Sequence, residues 1–229
     1  MSSDITNLTN RNYTLDVGQC LDRGWKISQR YLGGFIGFLL LYALFGILAG
    51  LPSLLAEVDA PIPDGIVRLA SLYWLLIASV LYAGMSIVAL QIVRRRRVYF
   101  SDFFSGFHQY LPVLLVTQSV DFLVILGFVF FLIPGLILGA LYQLSLPLVL
   151  DRGLSFWQAM ETSRKIVMSN FFNFLILYLA IAIVNFIGLL LLGVGLLFTI
   201  PWSVGMQIAA YELTVGLNMG PTIKRTVRH

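Results

Sequence analysis

Apolar residues run in six long stretches, near residues 33 to 55, 66 to 93, 110 to 132, 135 to 150, 172 to 192 and 196 to 217. About 20 helical residues cross a hydrocarbon core of about 30 Å. The pattern therefore predicts six transmembrane helices. Helix breakers lie within or between them: Pro52, Pro61 and Pro63; Arg94 to Arg97; Pro134-Gly135; Asp151-Arg152-Gly153; Gly193-Val194-Gly195; and Pro221 beyond the last. The fourth stretch is short, reaching only about 24 Å at about 1.5 Å per residue. It sits in a thinned bilayer, runs on past Leu150, or belongs to a hairpin that does not fully cross.

Between the spans the period changes. Residues 15 to 31 place Val17, Leu21, Trp25 and Tyr31 on one side, with Asp22, Arg23, Lys26 and Arg30 elsewhere. Residues 100 to 110 place Phe100, Phe103, Phe104 and Phe107 at i, i+3, i+4 and i+7. In residues 155 to 170, Ser155 and Gln158 have capping-box spacing, and Phe156, Met160, Ser163 and Val167 line up away from Arg164 and Lys165. Each predicts an amphipathic helix that lies in the headgroup plane or packs beneath the bundle. The chain then reads as three copies of one unit, an amphipathic helix followed by a membrane hairpin. Tyr110-Leu111 recurs as Tyr178-Leu179, Val120-Asp121-Phe122 as Val184-Asn185-Phe186, and Pro134 as Pro201. The three hairpins would point the same way, unlike the inverted repeats common in secondary transporters.

Composition agrees with this pattern. Hydrophobic residues are 59% and charged residues 11% of the 229, with a mean hydropathy of +0.88, and a soluble fold of this size has nowhere to hide that much apolar surface. The expected organisation is all-α: a disordered polar tail over residues 1 to 14, one helical membrane domain over 15 to 217, and a basic tail over 218 to 229. Residues 1 to 13 are polar, so no signal peptide is expected, and Val17-Gly18-Gln19-Cys20 lacks the preceding apolar stretch of a lipoprotein box. With Cys20 the single cysteine, internal disulfides and cysteine zinc clusters are excluded.

Charge sets the orientation, because loops rich in Lys and Arg stay in the cytoplasm. With both termini inside, 14 of the 15 basic residues fall on the inner side and only Arg68 lies outside, while Glu57, Asp59 and Asp64 occupy the first outer loop. The sequons at Asn7 and Asn12 then face the cytoplasm.

Few residues carry candidate chemistry. Asp121 lies near the middle of the third span, where an ionised carboxylate costs about 2.5 to 3.5 kcal/mol. Thr117 and Gln118 lie one turn before it, on the same face. They read as a polar stripe for an ion, a proton or a lipid headgroup, facing Asn185, or as interhelical glue in which Asp121 bonds Gln143 or Gln207. Glu212, near the inner end of the sixth span, reads as an ion-pair partner for a base such as Arg94. The quartet Arg94, Arg95, Arg96 and Arg97 reads as a topology anchor or an anionic-lipid contact. Gly46 with Gly50, and Gly135 with Gly139, have the spacing of close helix packing.

Enzyme templates fail. His108 and His229 lack partners at metal-ligand spacing, and there is no nucleophile elbow, phosphate loop or paired carboxylate set outside the bilayer. No cofactor, metal or nucleic-acid partner is expected.

One longer pattern carries a resemblance. Ile133-Pro134-Gly135-Leu136-Ile137, Tyr142, Pro147, Asp151-Arg152-Gly153, Trp157, Ala159, Ser163 and Lys165 are followed by Gly193-Val194-Gly195-Leu196, Pro201 and Ala210-Tyr211-Glu212. This rhythm, mainly over residues 98 to 217, resembles a group of uncharacterised bacterial multi-pass proteins similar to the membrane domain of glycerophosphoryl diester phosphodiesterases. In fused members, the resemblance implies, a separate soluble barrel performs hydrolysis. These residues leave no room for that barrel, so no catalytic residue carries over. The resemblance implies a prokaryotic cytoplasmic membrane and a family without an assigned activity. The sequence thus predicts a noncatalytic multi-pass membrane protein acting through interaction with membrane lipids, a partner membrane protein or a second copy of itself. The alternative is a small transporter or channel using its intramembrane polar residues.

Overall fold

The structure, a computed structural model, describes residues 15–57 and 63–217; the tails over 1–14 and 218–229, the two sequons and Asp59 lie outside the described residues. All regular structure in the described residues is helical. In chain order it comprises α1 (Val17–Gln29), α2 (Leu32–Glu57), α3 (Asp64–Tyr73), a π-helical turn (Trp74–Ala78) and α4 (Ser79–Val93). A 3-10 helix (Phe100–Gln109) follows, then α5 (Tyr110–Phe130), α6 (Leu132–Tyr142), α7 (Ser145–Arg152), α8 (Phe156–Ser169), α9 (Phe171–Leu190) and α10 (Leu196–Thr214).

Among the described residues, five helical stretches are long and apolar enough to cross a membrane: Leu32–Leu55, Gly65–Val93, Phe100–Phe130, Leu132–Arg152 and Phe171–Leu190. They fall on the first five apolar stretches, the third starting at Phe100 rather than 110 because the 3-10 helix runs on into α5. The fourth is longer than the sequence pattern indicates, because Pro134 does not delay its start. Pro134 occupies the third position of α6, within the first turn, where the missing N–H has no intrahelical partner to lose. The helix then breaks after Tyr142 and resumes as α7. Pro52 is likewise no boundary, since it lies inside α2.

The predicted sixth span forms α10 but falls outside the apolar set, diluted by Pro201, Ser203, Gln207 and Glu212. Its surroundings account for this: ten of its residues, including Tyr211, are buried against protein. Helices α10 and α4 are the central elements of the bundle, with buried residues around much of their circumference, as expected for helices enclosed by others. The outer half of α2 and the tips of the α5–α6 and α9–α10 hairpins instead expose rows of Leu, Ile and Phe. A Cβ at Gly50 would meet nothing, so this glycine makes no close helix contact, whereas one at Gly135 would lie 2.5 Å from the Phe128 ring.

The three segments between spans differ in how they pack. On α1 the deepest line is Cys20, Gly24, Ile27 and Ser28, with the expected stripe of Val17, Leu21 and Trp25 half-buried on its flank. The shift arises because α1 lies against α10 backbone to backbone: a Cβ on Gly205 would fall 2.3 Å from the Gly24 carbonyl oxygen. Trp202 Nε1 donates to Leu21 O at 2.9 Å, and the Trp25 and Trp202 rings meet edge to face at 5.3 Å.

Residues 100 to 109 wind with the 3-10 pitch of about three residues per turn, which breaks up the four-phenylalanine face. Phe103 is buried and stacks on Phe38 at 4.4 Å, Phe104 is half-buried, and Phe100 and Phe107 are exposed. The glycine that admits this segment is Gly84, where a Cβ would clash with the Phe103 carbonyl.

Helix α8 starts with the expected capping box between Ser155 and Gln158, and buries Met160, Ser163 and Val167. Ser163 Oγ donates to Leu141 O at 2.7 Å and accepts from Leu144 N at 3.3 Å. It thereby satisfies backbone groups freed by the break between α6 and α7, which a buried helix end requires.

Candidate functional site

Helix α5 presents Thr117, Gln118 and Asp121 to a cavity of about 680 Å³ that is also lined by α2, α4, α6, α9, α10 and the π-helical turn. The three residues play different parts. Thr117 turns its hydroxyl back to Val113 O at 2.9 Å and Leu114 O at 3.1 Å, so its donor is spent within its own helix. Gln118 Nε2 donates to Leu75 O at 2.7 Å and reaches Ser79 Oγ at 3.4 Å, fastening α5 to the π-helical turn. A π-helical turn offsets the regular ladder by one residue, and such turns recur where a helix serves a site. Asp121 is accessible from the cavity, and no hydrogen bond or ion pair joins it to another described residue.

Tyrosines and amides furnish the other polar walls: Tyr42 from α2, Tyr82 from α4, Tyr142 from α6, Tyr178 from α9, with Gln143 and Gln207. Tyr178 is seated over Gly139, where a Cβ would lie 2.3 Å from its hydroxyl oxygen. Gln143 stands at the α6–α7 break and is 8% exposed. Its Nε2 donates to Ala140 O at 2.9 Å and Phe174 O at 3.2 Å, and these two carbonyls fix which end of the amide is nitrogen. The other end, Oε1, is a buried acceptor with no donor. Asp121 and Gln143 therefore line one cavity as two acceptors that the described protein does not satisfy.

The other residues singled out in the sequence are placed elsewhere. Asn185 does not line the cavity; its Nδ2 donates to Ser203 Oγ at 2.7 Å and Ile181 O at 3.0 Å, tying α9 to α10. Gln207 shares the cavity with Asp121, but no hydrogen bond joins the two. Glu212 pairs with Arg23 of α1 through two bonds, Nε to Oε2 at 2.8 Å and Nη2 to Oε1 at 2.5 Å, not with Arg94. The arginine quartet is divided. Arg94 pairs with Asp151, while Arg95, Arg96 and Arg97 are exposed, the first two also lining a second cavity.

The sequence pattern places Asp151 in a helix breaker between two spans. In the structure it is a buried hub, paired with Arg94, 3.4 Å from Arg152 Nε, and accepting from the Tyr211 hydroxyl at 2.7 Å. Arg152 also donates to Gly216 O at 3.0 Å, closing the end of α10. The sequence pattern marks Tyr142 and Tyr178 only as elements of a repeat or rhythm and passes over Tyr42 and Tyr82, although tyrosine in mid-span rather than at an interface is a signal for such a cavity.

Among the described residues, no group of three His, Cys, Asp or Glu side chains is placed to hold a metal ion. Compared with known proteins, the chain matches no family model, no curated protein and no solved structure.

Proposed function

We propose that this chain is a noncatalytic multi-pass membrane protein that binds, at bilayer depth, an amphiphile whose polar end donates hydrogen bonds or carries positive charge. The observation that carries this reading is the pair of unsatisfied acceptors, Asp121 and Gln143 Oε1, in one cavity walled otherwise by tyrosines and aliphatic side chains. A carboxylate at this depth needs a proton, a cation or a donor. A ligand with an ammonium or hydroxyl headgroup supplies one, tyrosine faces suit a cation, and Leu75, Val124 and Ile125 suit its apolar part.

Helix α10 is the sixth span in this reading, protected by its neighbours from lipid contact. With six spans, both termini lie in the cytoplasm, an orientation that the distribution of basic residues supports, and the resemblance supports a prokaryotic inner membrane. The α5–α6 and α9–α10 hairpins both close on a glycine pair: a Cβ on Gly127 would lie 2.8 Å from Gly135 Cα, and one on Gly195 would lie 2.7 Å from Gly188 O. This likeness supports a duplicated hairpin unit. The resemblance to membrane domains that accompany a separate hydrolase supports a role in lipid handling without chemistry of its own.

The test is native mass spectrometry of the full chain extracted in mild detergent, beside Asp121→Asn. A co-purifying amphiphile present on the wild type and lost from Asp121→Asn supports the reading, whereas equal occupancy of both, or of neither, overturns it.

A second reading, transport of that ligand, is favoured by one feature. Two departures from regular α-helix, the π-helical turn and the α6–α7 break, border the same cavity through Leu75, Ala78 and Gln143, as interrupted helices do at many transporter sites. Ligand flux into vesicles that is abolished by Asp121→Asn would establish it.

A further inference from the structure

The second cavity, about 270 Å³, is lined by Arg30, Tyr31, Ile92, Arg95, Arg96 and Val98. Arg30 follows the last residue of α1, and Tyr31 immediately precedes α2. Arg95 and Arg96 come just after α4. The cavity thus lies where one spanning helix begins and another ends, on the same side of the bundle and away from Asp121.

Arg95 occupies this position at a conformational cost. Arg96 N donates to Gln91 O at 3.0 Å and Arg95 N to Ile92 O at 3.0 Å. These are the paired bonds of a Schellman turn, in which the residue at the position of Arg95 takes the left-handed conformation. Arg95 does so, with φ of 54°. Glycine is the usual occupant because it alone escapes the Cβ clash. An arginine there is a strained choice, and strain of this kind accumulates where a side chain is needed in a particular place.

The charge pattern points the same way. Three arginines, each exposed to solvent, line one small cavity, and among the described residues none of them has a salt-bridge partner; no acidic residue lines the cavity. Asp151, the acidic partner of the neighbouring Arg94, is engaged by Arg94 and Arg152. Unneutralised like charges repel, and the arrangement is relieved by an anion that several forks can grip together.

We propose that Arg30, Arg95 and Arg96 form a binding site for a phosphate group, presented by a lipid headgroup at the membrane surface or by a free phosphate compound. The Tyr31 hydroxyl is the fourth donor. The site is independent of the intramembrane cavity and stands or falls without it.

The test uses the full chain and two variants. Arg95→Gly removes one guanidinium and at the same time relaxes the turn, so folding is preserved; Arg97→Ala removes a neighbouring exposed arginine that does not line the cavity. Thermal unfolding is followed in phosphate-free detergent with added inorganic phosphate, against chloride at matched ionic strength. It is repeated in nanodiscs of phosphatidylcholine with and without phosphatidic acid. Saturable stabilisation of the wild type by inorganic phosphate identifies a free phosphate compound as a sufficient ligand; stabilisation by phosphatidic acid alone identifies the lipid headgroup. In either arm Arg95→Gly weakens the apparent affinity by about tenfold or more, and Arg97→Ala leaves it within about twofold. The proposal is overturned if neither probe stabilises the wild type beyond the chloride control, or if the two variants respond alike.

Discussion

Gly24 of α1 and Gly205 of α10, 181 residues apart, meet without a side chain between them: a Cβ on Gly24 would lie 2.6 Å from Met206 N, and one on Gly205 would lie 2.3 Å from Gly24 O. Alanine in an open helical position gains about 0.5 to 1 kcal/mol over glycine. At Gly24 or Gly205 the added methyl meets backbone, which cannot move aside as a flexible side chain can. Gly205→Ala is expected to lose about 1 to 3 kcal/mol, while Gly50→Ala, in open space, is expected to be neutral or stabilising. Thermal unfolding in detergent separates the two.

The Asp151 hub gives a second expectation. Removing its carboxylate leaves Arg94 and Arg152 without their shared partner in a buried site, which costs about 3 to 5 kcal/mol. Tyr211→Phe removes a hydroxyl that donates to a charged group, worth about 1.5 to 3 kcal/mol. The double variant Arg94→Met with Asp151→Leu is expected to be less damaged than Asp151→Ala, because Arg94 is no longer left as an unpaired charge beside the emptied position. Chemical unfolding of the three variants and wild type in one detergent checks the order.

Cys20 is fully buried in α1, and burial, helped by Asp16, pushes its thiol from about 9 up to about 12. The thiolate is the reactive form. Maleimide at pH 8 is therefore expected to leave the folded protein unlabelled and to label it after denaturation in dodecyl sulfate. The same shift sets a pH trend. Above about pH 9 the unfolded chain ionises this thiol while the folded chain does not, so this contribution to stability is full below pH 9 and declines as pH rises toward 12.

Glu161 on α8 shows the opposite shift. The guanidinium of Arg164 beside it, with Lys165, holds its carboxyl down at about 2. The stabilisation is present above the unfolded value near 4.5 and is lost as pH falls through about 2. Because the group is exposed to solvent, screening keeps it small. Glu161→Gln is expected to cost less than about 1 kcal/mol at neutral pH, and less again in high salt.

The spans were legible because their signal is length and apolar character, and the C-terminal ends of the five apolar helical stretches lie within two residues of where the pattern places them, although the third starts ten residues earlier. The α8 capping box was legible for the same kind of reason, being a local arrangement written in two residues. What escaped was set by tertiary packing. The offset of the buried line on α1 follows from a glycine contact with α10, and the 3-10 winding of residues 100 to 109 goes with the close approach of Phe103 to Gly84. Asp121, Gln118 and Thr117 could be singled out from their depth in an apolar helix, but their partners could not. Asn185, expected opposite Asp121, bonds Ser203, and Glu212 turns to Arg23 because α1 docks along α10. Asp151 reads as part of a helix breaker because Gly153 follows it, with its φ of 64° ending α7; only the fold shows that Arg94 and Tyr211 converge on it.

Cysteine accessibility along α5 tests the central claim, an open polar cavity around Asp121, most directly. In a Cys20→Ala background, single cysteines replace Thr117 and Asp121, which line the cavity, and Phe122 and Val129, which are exposed but do not line it. A small cationic methanethiosulfonate reagent, added to the protein in lipid nanodiscs, needs water around the thiol to react. Rapid modification at 117 and 121, with little at 122 and 129, is the predicted result; modification at 121 as slow as at 122 would contradict it.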